Sequence, residues 1–409
     1  MQNGNGHYTG PNNRGGGGGV YVFGTSPKIE NLIIKNNSTP YQGGGIAIFD
    51  SGENYQHIPI HISNVKFLNN SANSGGGLST IAGDREVFIN NCIFNGNFID
   101  IGGGSSGGAI YSKGGTIIKY FNQCIFTNNT GSLGSVMKAD HGDSTIFTNS
   151  LFHDNDGTEI YIERLDENAD EIYVGIQYSL TDFELDSMYV GEGSTLENLA
   201  GNIDVDPMFV DTANGNYHLL ASSMLINAGH PDLTDSDGTR ADMGAYPYLN
   251  NYSGPDWFVS ESGNDITATG ISDNPFRSIQ AALNFGSDDD IAYVSAGTYN
   301  ENLVYRYDQS ESIRSVSLIG ENKETTIIDG NQAGIVVDLP NGGSSGYLII
   351  EGFTIRNGYA NGEMGNYGSF NQGAGIHVGH NYDPVYLSDL IIENCTSVSA
   401  GTDVQFSIM

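Results

Sequence analysis

Basic residues are scarce in this chain of 409 residues: 15 Lys and Arg stand against 48 Asp and Glu, a formal net charge of -33. A field of that sign repels phosphate backbones and anionic lipid, which argues against nucleic acid and membrane surfaces as partners. It attracts cations, so it suits either weak calcium binding or plain solubility in a salty medium. Cysteine is scarce too. Cys92, Cys124 and Cys395 are too few for a disulfide framework, and no CxxC or Cys/His grouping suggests zinc. No apolar run approaches the ~18 residues of a membrane-spanning helix. The first ten residues, MQNGNGHYTG, are polar and carry no signal peptide.

Glycine, by contrast, is abundant at 57, against 11 Pro. Such a level means many tight turns or close backbone approaches, and its clustering excludes the third-position repeat of collagen. Within the first 160 residues one motif occurs five times: KIENLIIKNN (28–37), HISNVKFLNN (61–70), FINNCIFNGN (88–97), YFNQCIFTNN (120–129) and IFTNSLFHDN (146–155). Its final Asn falls at 37, 70, 97, 129 and 155, a spacing of 33, 27, 32 and 26. A second motif interleaves with it: GGGGVYV (16–22), GGGIAI (43–48), GGGLS (75–79), GGAIY (107–111) and a degraded GSVM (134–137). Each period therefore holds two short strands separated by Gly-rich and Asn-rich corners. Ile46 and Ile48 are expected on one face and Ala47 on the other.

A period of this length built from short strands means a solenoid or a propeller, and the hairpin turns of propeller blades are missing. In a parallel coil, successive turns stack ~4.8 Å apart and equivalent residues form columns. Leu32, Val65, Cys92, Cys124 and Ser150 make one; Ile34, Phe67, Phe94, Phe126 and Phe152 the next. Asn37, Asn70, Asn97, Asn129 and Asn155 make a third, whose amides can hydrogen-bond along the axis and tolerate a left-handed corner. Cys92 and Cys124 are then small buried hydrophobes rather than catalytic thiols.

The alternating GGAIY and xNCxFxNN units resemble the right-handed parallel β-helix of bacterial surface and secreted proteins, the pectin-lyase-like fold. The resemblance covers residues 15 to about 165 and resumes at 256–395. From 166 to 250 the repeat decays, and 201–248 is similar to the closing module that follows the last coils of such proteins. After LNNYSGP, the order of strand (257–265), amphipathic helix (274–286) and GTYNEN (297–302) resembles an N-terminal cap and first coil. Asn274 is expected as the helix N-cap and Pro275 as its first residue. IIEGFTIRNG (349–358), GAGIHVG (373–379) and LSDLIIENC (387–395) bring both motifs back. The expected architecture is all-β: two tandem right-handed parallel β-helix segments with one short capping helix near 275–285. Residues 1–248 form the C-terminal portion of one segment, 249–255 a linker, and 256–409 the opening of another, so each segment is expected to continue beyond this chain.

The resemblance admits lyases, galacturonases, esterases and non-catalytic adhesins. A lyase of this family uses calcium held by carboxylates to acidify a sugar C5 proton, and an Arg or Lys to remove it. The residue types nearest to that set lie in KADHGD: Lys138, Asp140, His141 and Asp143. Lys138 aligns with Val22, Ile48 and Tyr111, read as inward. A buried lysine there is costly, so a one-residue slip turning Lys138 outward is expected, with an ordinary solvated turn as the simpler alternative to an active site. The run SDDD (287–290) reads as a polar turn, because consecutive extended residues face alternately. Asp235, Asp237 and Asp242 have the spacing of oxygen ligands for a hard cation such as Ca2+, although the distal Glu of an EF-hand is missing. A plain Asp/Gly turn, or a bridge from Arg240 to Asp235 or Asp242, needs no metal. His377 is expected to face outward.

The expected function is a secreted or cell-surface β-helix protein with a non-catalytic structural or adhesive role. Its partner class is a polysaccharide or cell-surface glycan, with no nucleic acid and no membrane insertion. No cofactor is required, with Ca2+ as the one candidate ion. The alternative is a calcium-dependent polysaccharide lyase or related enzyme acting on acidic polysaccharide.

Overall fold

The computed structural model of the protein describes residues 16–49, 58–81, 85–99, 107–114, 118–142, 144–164, 170–181, 188–306, 314–340, 346–360, 373–379, 384–399 and 402–407. The chain is a parallel β-solenoid of about ten turns with one short helix. It divides into two compact units, residues 1–207 with 227–247 and residues 208–226 with 248–409.

In the first unit the Gly-rich motif builds a seven-stranded parallel sheet: Val20–Phe23, Ile46–Phe49, Leu78–Ile81, Ile110–Lys113, Met137–Asp140, Ile160–Ile162 and Met188–Val190. The Gly pairs divide two tasks. Gly107 takes φ +68, while a Cβ on Gly108 would sit 2.5 Å from the Ser135 carbonyl oxygen of the next coil. The Asn motif builds a ten-stranded sheet. Its strand Ile60–Leu68 pairs with Val87–Asn90 through one half and with Ile93–Asn95 through the other. The chain bends between the two halves at a left-handed residue: Asn31, Asn64, Asn91, Gln123 and Asn149 all have φ of 51–56.

The register bears out the columns. Leu32 pairs with Val65, and Ile34, Phe67, Phe94, Phe126 and Phe152 stack in order. Phe67 and Phe94 lie 4.4 Å apart between ring centroids and Phe94 and Phe126 4.9 Å. Such pairs add roughly 0.5–1.5 kcal/mol each beyond the area they bury. Leu32, on the first described coil, is 38% exposed while Val65 on the next is 0%, although Ile34 on the same strand as Leu32 is fully buried. Cys92 and Cys124 are free thiols in the core, and burial pushes the Cys124 thiol up. Beyond them the column turns polar without losing its bonding: Ser150 Oγ accepts from Cys124 N–H, and Ser179 Oγ accepts from Ser150 N–H.

The asparagine column is a continuous ladder with its labour split between neighbours. The left-handed corner falls on the residue before each ladder Asn: Asn36, Asn69, Gly96, Asn128 and Asp154. The ladder Asn itself bonds along the axis and is buried in four of the five copies, Asn155 being half-buried. Asn97 Oδ1 accepts from both the backbone N–H and Nδ2 of Asn70, while Asn97 Nδ2 donates to Asn129 Oδ1 and to the Phe67 carbonyl. The same pattern runs from Asn37 to Asn155.

Residues 227–247 run as a strap along the left-handed corners of the first unit. Gln123 Nε2 donates to Asp235 Oδ1, and Asn149 takes the backbone N–H of both His230 and Gly244. Lys66 sits 5.4 Å from the centroid of the Tyr246 ring, and Arg240 5.7 Å from that of Tyr178.

The second unit opens with the strand Asp256–Val259 and the helix α1, Ile279–Phe285. Trp257 is fully buried against Phe276 and Phe285, and its indole N–H donates to Asp290. The expected helix start is corrected. Asn274 and Pro275 lie outside the helix, where the Asn274 carbonyl accepts from Gly270 N–H in a turn, and the N-cap is Ser278 with no side-chain bond of its own. The cap comes from the next strand region instead: the two carboxylate oxygens of Glu301 accept Ile279 and Gln280 N–H. The SDDD turn is as expected, its acids spent on fixed donors: Asp288 on Ser315 and Asp290 on Ser287 and Trp257. The recurring motifs form the strands Leu348–Glu351, Thr354–Arg356, Ile376–Val378, Val385–Ser388 and Ile391–Glu393. Residues 208–226 belong to this unit. Phe209–Asp211 and Asn216–Leu219 pair antiparallel, and Asn284 Nδ2 donates to the Ala221 and Ser223 carbonyls.

Candidate functional site

On the seven-stranded sheet, alternation sends Met137 and Ala139 into the core and Lys138 out. The register makes one outward column of Tyr21, Ala47, Ser79, Tyr111, Lys138, Tyr161 and Tyr189. Lys138 thus shares its column with Tyr111 but not with Val22 or Ile48, which align with Ala139. The direction expected for Lys138 is found. The solvated turn is not: Met137–Asp140 is a strand, and Lys138 is 3% and Asp140 4% exposed although both leave the core.

Lys138 is held on both sides. Its Nζ lies 4.5 Å from the centroid of the Tyr161 ring and 3.6 Å from Glu163 Oε2. Tyr161 stacks in turn on Tyr189, 4.3 Å between centroids and 14° between planes. The column therefore ends as ammonium, ring, ring, with Tyr189 44% exposed on the last strand of the sheet. Tyr161 donates to Glu163 Oε2, and burial, followed by the Glu163 charge, pushes its hydroxyl up to about 12.

One step along the strands lies a second pair. Tyr111 donates to Asp140 Oδ2 at 3.0 Å. Burial, reinforced by the Asp140 charge, pushes the Tyr111 hydroxyl well above its ordinary range, so it stays a donor. Burial also raises the Asp140 carboxyl, against the pull of Lys138, Tyr111, Lys113 and His141. Among the described residues Asp140 Oδ1 has no hydrogen-bond partner, and neither has Ser79 Oγ on the same face nor Nδ1 of His141, which leaves the strand at φ +63. A buried polar atom left unpaired costs roughly 1–3 kcal/mol, so a face with such atoms gains by meeting complementary groups. Asp143 lies outside the described residues. Lys138 and Asp140 thus lie on the outward face of an interior strand, and His141 follows at its end. Nζ of Lys138 is engaged by Glu163 and Tyr161 rather than free to take a proton from a substrate carbon.

The acids at 235–242 serve the strap. Asp235 Oδ2 accepts Asp242 N–H, Asp237 Oδ1 accepts the N–H and hydroxyl of Thr239, and Asp242 Oδ1 accepts Asn227 N–H. Among the described residues no three His, Cys, Asp or Glu side chains gather to hold a metal ion. Arg240 donates to the Gly229 and Ala228 carbonyls rather than bridging Asp235 or Asp242. His377 faces outward, 2.7 Å from Asp338.

Tyr161, Glu163 and Tyr189 escape sequence reasoning because their copies of the strand motif, EIYI (159–162) and SMYV (187–190), have lost the Gly pair that marks the others. The signal was the central aromatic of each, in register with the Tyr of GGAIY. No family model, curated protein or solved structure matches this chain.

Proposed function

We propose that the protein is a non-catalytic, glycan-binding β-helix of the pectin-lyase-like kind, secreted or displayed on a bacterial cell surface. Sugar is bound at the Tyr189 end of the outward column. The observation that carries this is the Lys138–Tyr161–Tyr189 stack. Its last ring, 44% exposed, offers apolar surface to the C–H side of a pyranose, with hydrogen-bonding groups of Glu163 and Tyr161 beside it. Lys138, whose nitrogen is held by Glu163 and the Tyr161 ring, favours the binding reading over proton abstraction at this column.

The test is calorimetric titration with a panel of soluble oligosaccharides against the protein and Tyr189→Ala. Saturable binding that weakens at least tenfold in the variant is expected; equal binding by both proteins overturns the site. Incubation with acidic polysaccharide, with and without calcium, is expected to release no unsaturated sugar. Growth of the absorbance of a C4–C5 double bond would establish the lyase alternative.

A further inference from the structure

The faces of the second unit differ in what they turn outward. One sheet sends out Arg356 and Asp329, paired at 2.7 Å, and another His377 and Asp338, also 2.7 Å apart. The five-stranded sheet (Asp256–Val259, Ile291–Val294, Ser317–Gly320, Leu348–Glu351 and Val385–Ser388) is different. Trp257, Ala292, Leu318 and Ile350 fill the core, so the residues between them point out, and most of these are apolar. Phe258 stacks on Tyr293, 5.6 Å between ring centroids, with Ile319 next in register. The Tyr386 ring lies 6.3 Å from that of Tyr347, and the two side chains are 51% and 64% exposed. The charged side chains set among them are acidic. Asp256 and Glu351 share the outward columns, and the Asp289 carboxylate lies against Gly346, next to Tyr347. All three acids are exposed, and among the described residues none is paired with a cation.

We infer that this face binds a cationic amino-sugar chain, of the class of β-1,4-linked glucosamine. The C–H faces of its rings lie on the Tyr and Ile side chains, and its ammonium groups meet Asp256, Asp289 and Glu351. Charge complementarity selects the sign: a chain of -33 draws in a polycation and repels a polyanion or a second copy of itself. The sheet face also favours a sugar over a basic peptide. Its own backbone groups are spent on bonds between coils, so a peptide laid across it leaves its N–H and C=O groups without partners; sheets take up peptides at a free strand edge instead. This second site lies in the other unit and shares no residue with the one at Tyr189.

The experiment titrates glucosamine tetrasaccharide, its fully N-acetylated counterpart and tetralysine into the protein by calorimetry, at low salt and about pH 5.5, where exposed carboxylates are ionised. The glucosamine chain is expected to bind at least tenfold more tightly than the neutral acetylated one, and to weaken as salt rises to about 0.5 M. Tyr347→Ala combined with Tyr386→Ala is expected to lower that affinity at least tenfold with the unfolding transition unchanged, since both rings are exposed. Asp256→Asn combined with Glu351→Gln is expected to remove the preference for the charged sugar, and Tyr189→Ala to leave it as it was. Absence of amino-sugar binding, equal binding of the charged and acetylated chains, or affinity untouched by the substitutions at 347 and 386 overturns the inference. So does tighter binding of tetralysine, which would make the occupant a basic polypeptide. Loss of amino-sugar affinity in Tyr189→Ala alone overturns it too, and leaves the site at Tyr189 standing.

Discussion

At the scale of single residues, the asparagine corners show how one residue type does two jobs in adjacent positions. Asn128 holds φ +52 at the surface, whereas Asn129 is buried and bonds to both neighbouring coils. Replacements should therefore diverge. Asn97→Ala removes the acceptor of two Asn70 N–H groups and the donor to the Phe67 carbonyl, and is expected to cost about 3 kcal/mol. Asn128→Gly keeps the left-handed corner and should stay within about 0.5 kcal/mol of the parent. Denaturant unfolding of the two variants side by side checks the contrast. The motif shows that Asn recurs; which Asn of each pair enters the core depends on the direction of its Cβ, and that is set only once the corner has turned.

At the scale of elements, α1 is a seven-residue helix that could not persist alone, since helices so short are marginal in water. It survives by packing on Trp257 and by borrowing the Glu301 carboxylate as its cap. Burial pushes the Glu301 carboxyl up to about 7 from an ordinary 4.5, although two N–H donors pull it down. The folded protein then holds this proton more tightly than the unfolded chain. Its contribution is fully present below about pH 4.5 and is lost as pH rises to about 7, on the order of 2–3 kcal/mol at most. Glu301→Gln, which cannot ionise, should flatten that part of the slope. The difference in melting temperature between pH 4.5 and 7.5 is expected to be smaller in the variant, measured under identical salt. The sequence pattern located the helix but not its cap, because Glu301 reaches it from the link between the strands Gly297–Asn300 and Leu303–Val304.

At the scale of the whole molecule, charge and repeat pull in opposite directions. Every coil adds buried columns, and the 48 acidic side chains repel one another across the surface. Screening that repulsion should stabilise the fold. The melting temperature is expected to rise by several degrees between about 0.01 and 0.5 M sodium chloride, as the screening length falls from roughly 30 Å to below 8 Å. A flat or falling profile in a calorimetric scan would show that the acids are locally compensated instead.

By itself the sequence determined the solenoid. A recurring spacing of apolar, amide and glycine positions admits one way of burying them all, with like stacked on like, so the columns of Phe, Cys and Asn were legible before any coordinates. The candidate site was legible only in part. Lys138, Asp140 and His141 could be picked out by residue type, but the burial of Lys138 and Asp140 could not be, nor could the ring beside Lys138. Tyr161 lies 23 residues after it and Tyr189 a further 28, in copies of the motif that have lost their glycines. Tertiary structure decided that these become neighbours, because stacking brings residues one coil apart to within a ring's reach. It decided also that Asp235, Asp237 and Asp242 serve backbone donors of the strap, since a carboxylate takes the nearest fixed N–H, and only the folded chain says which that is.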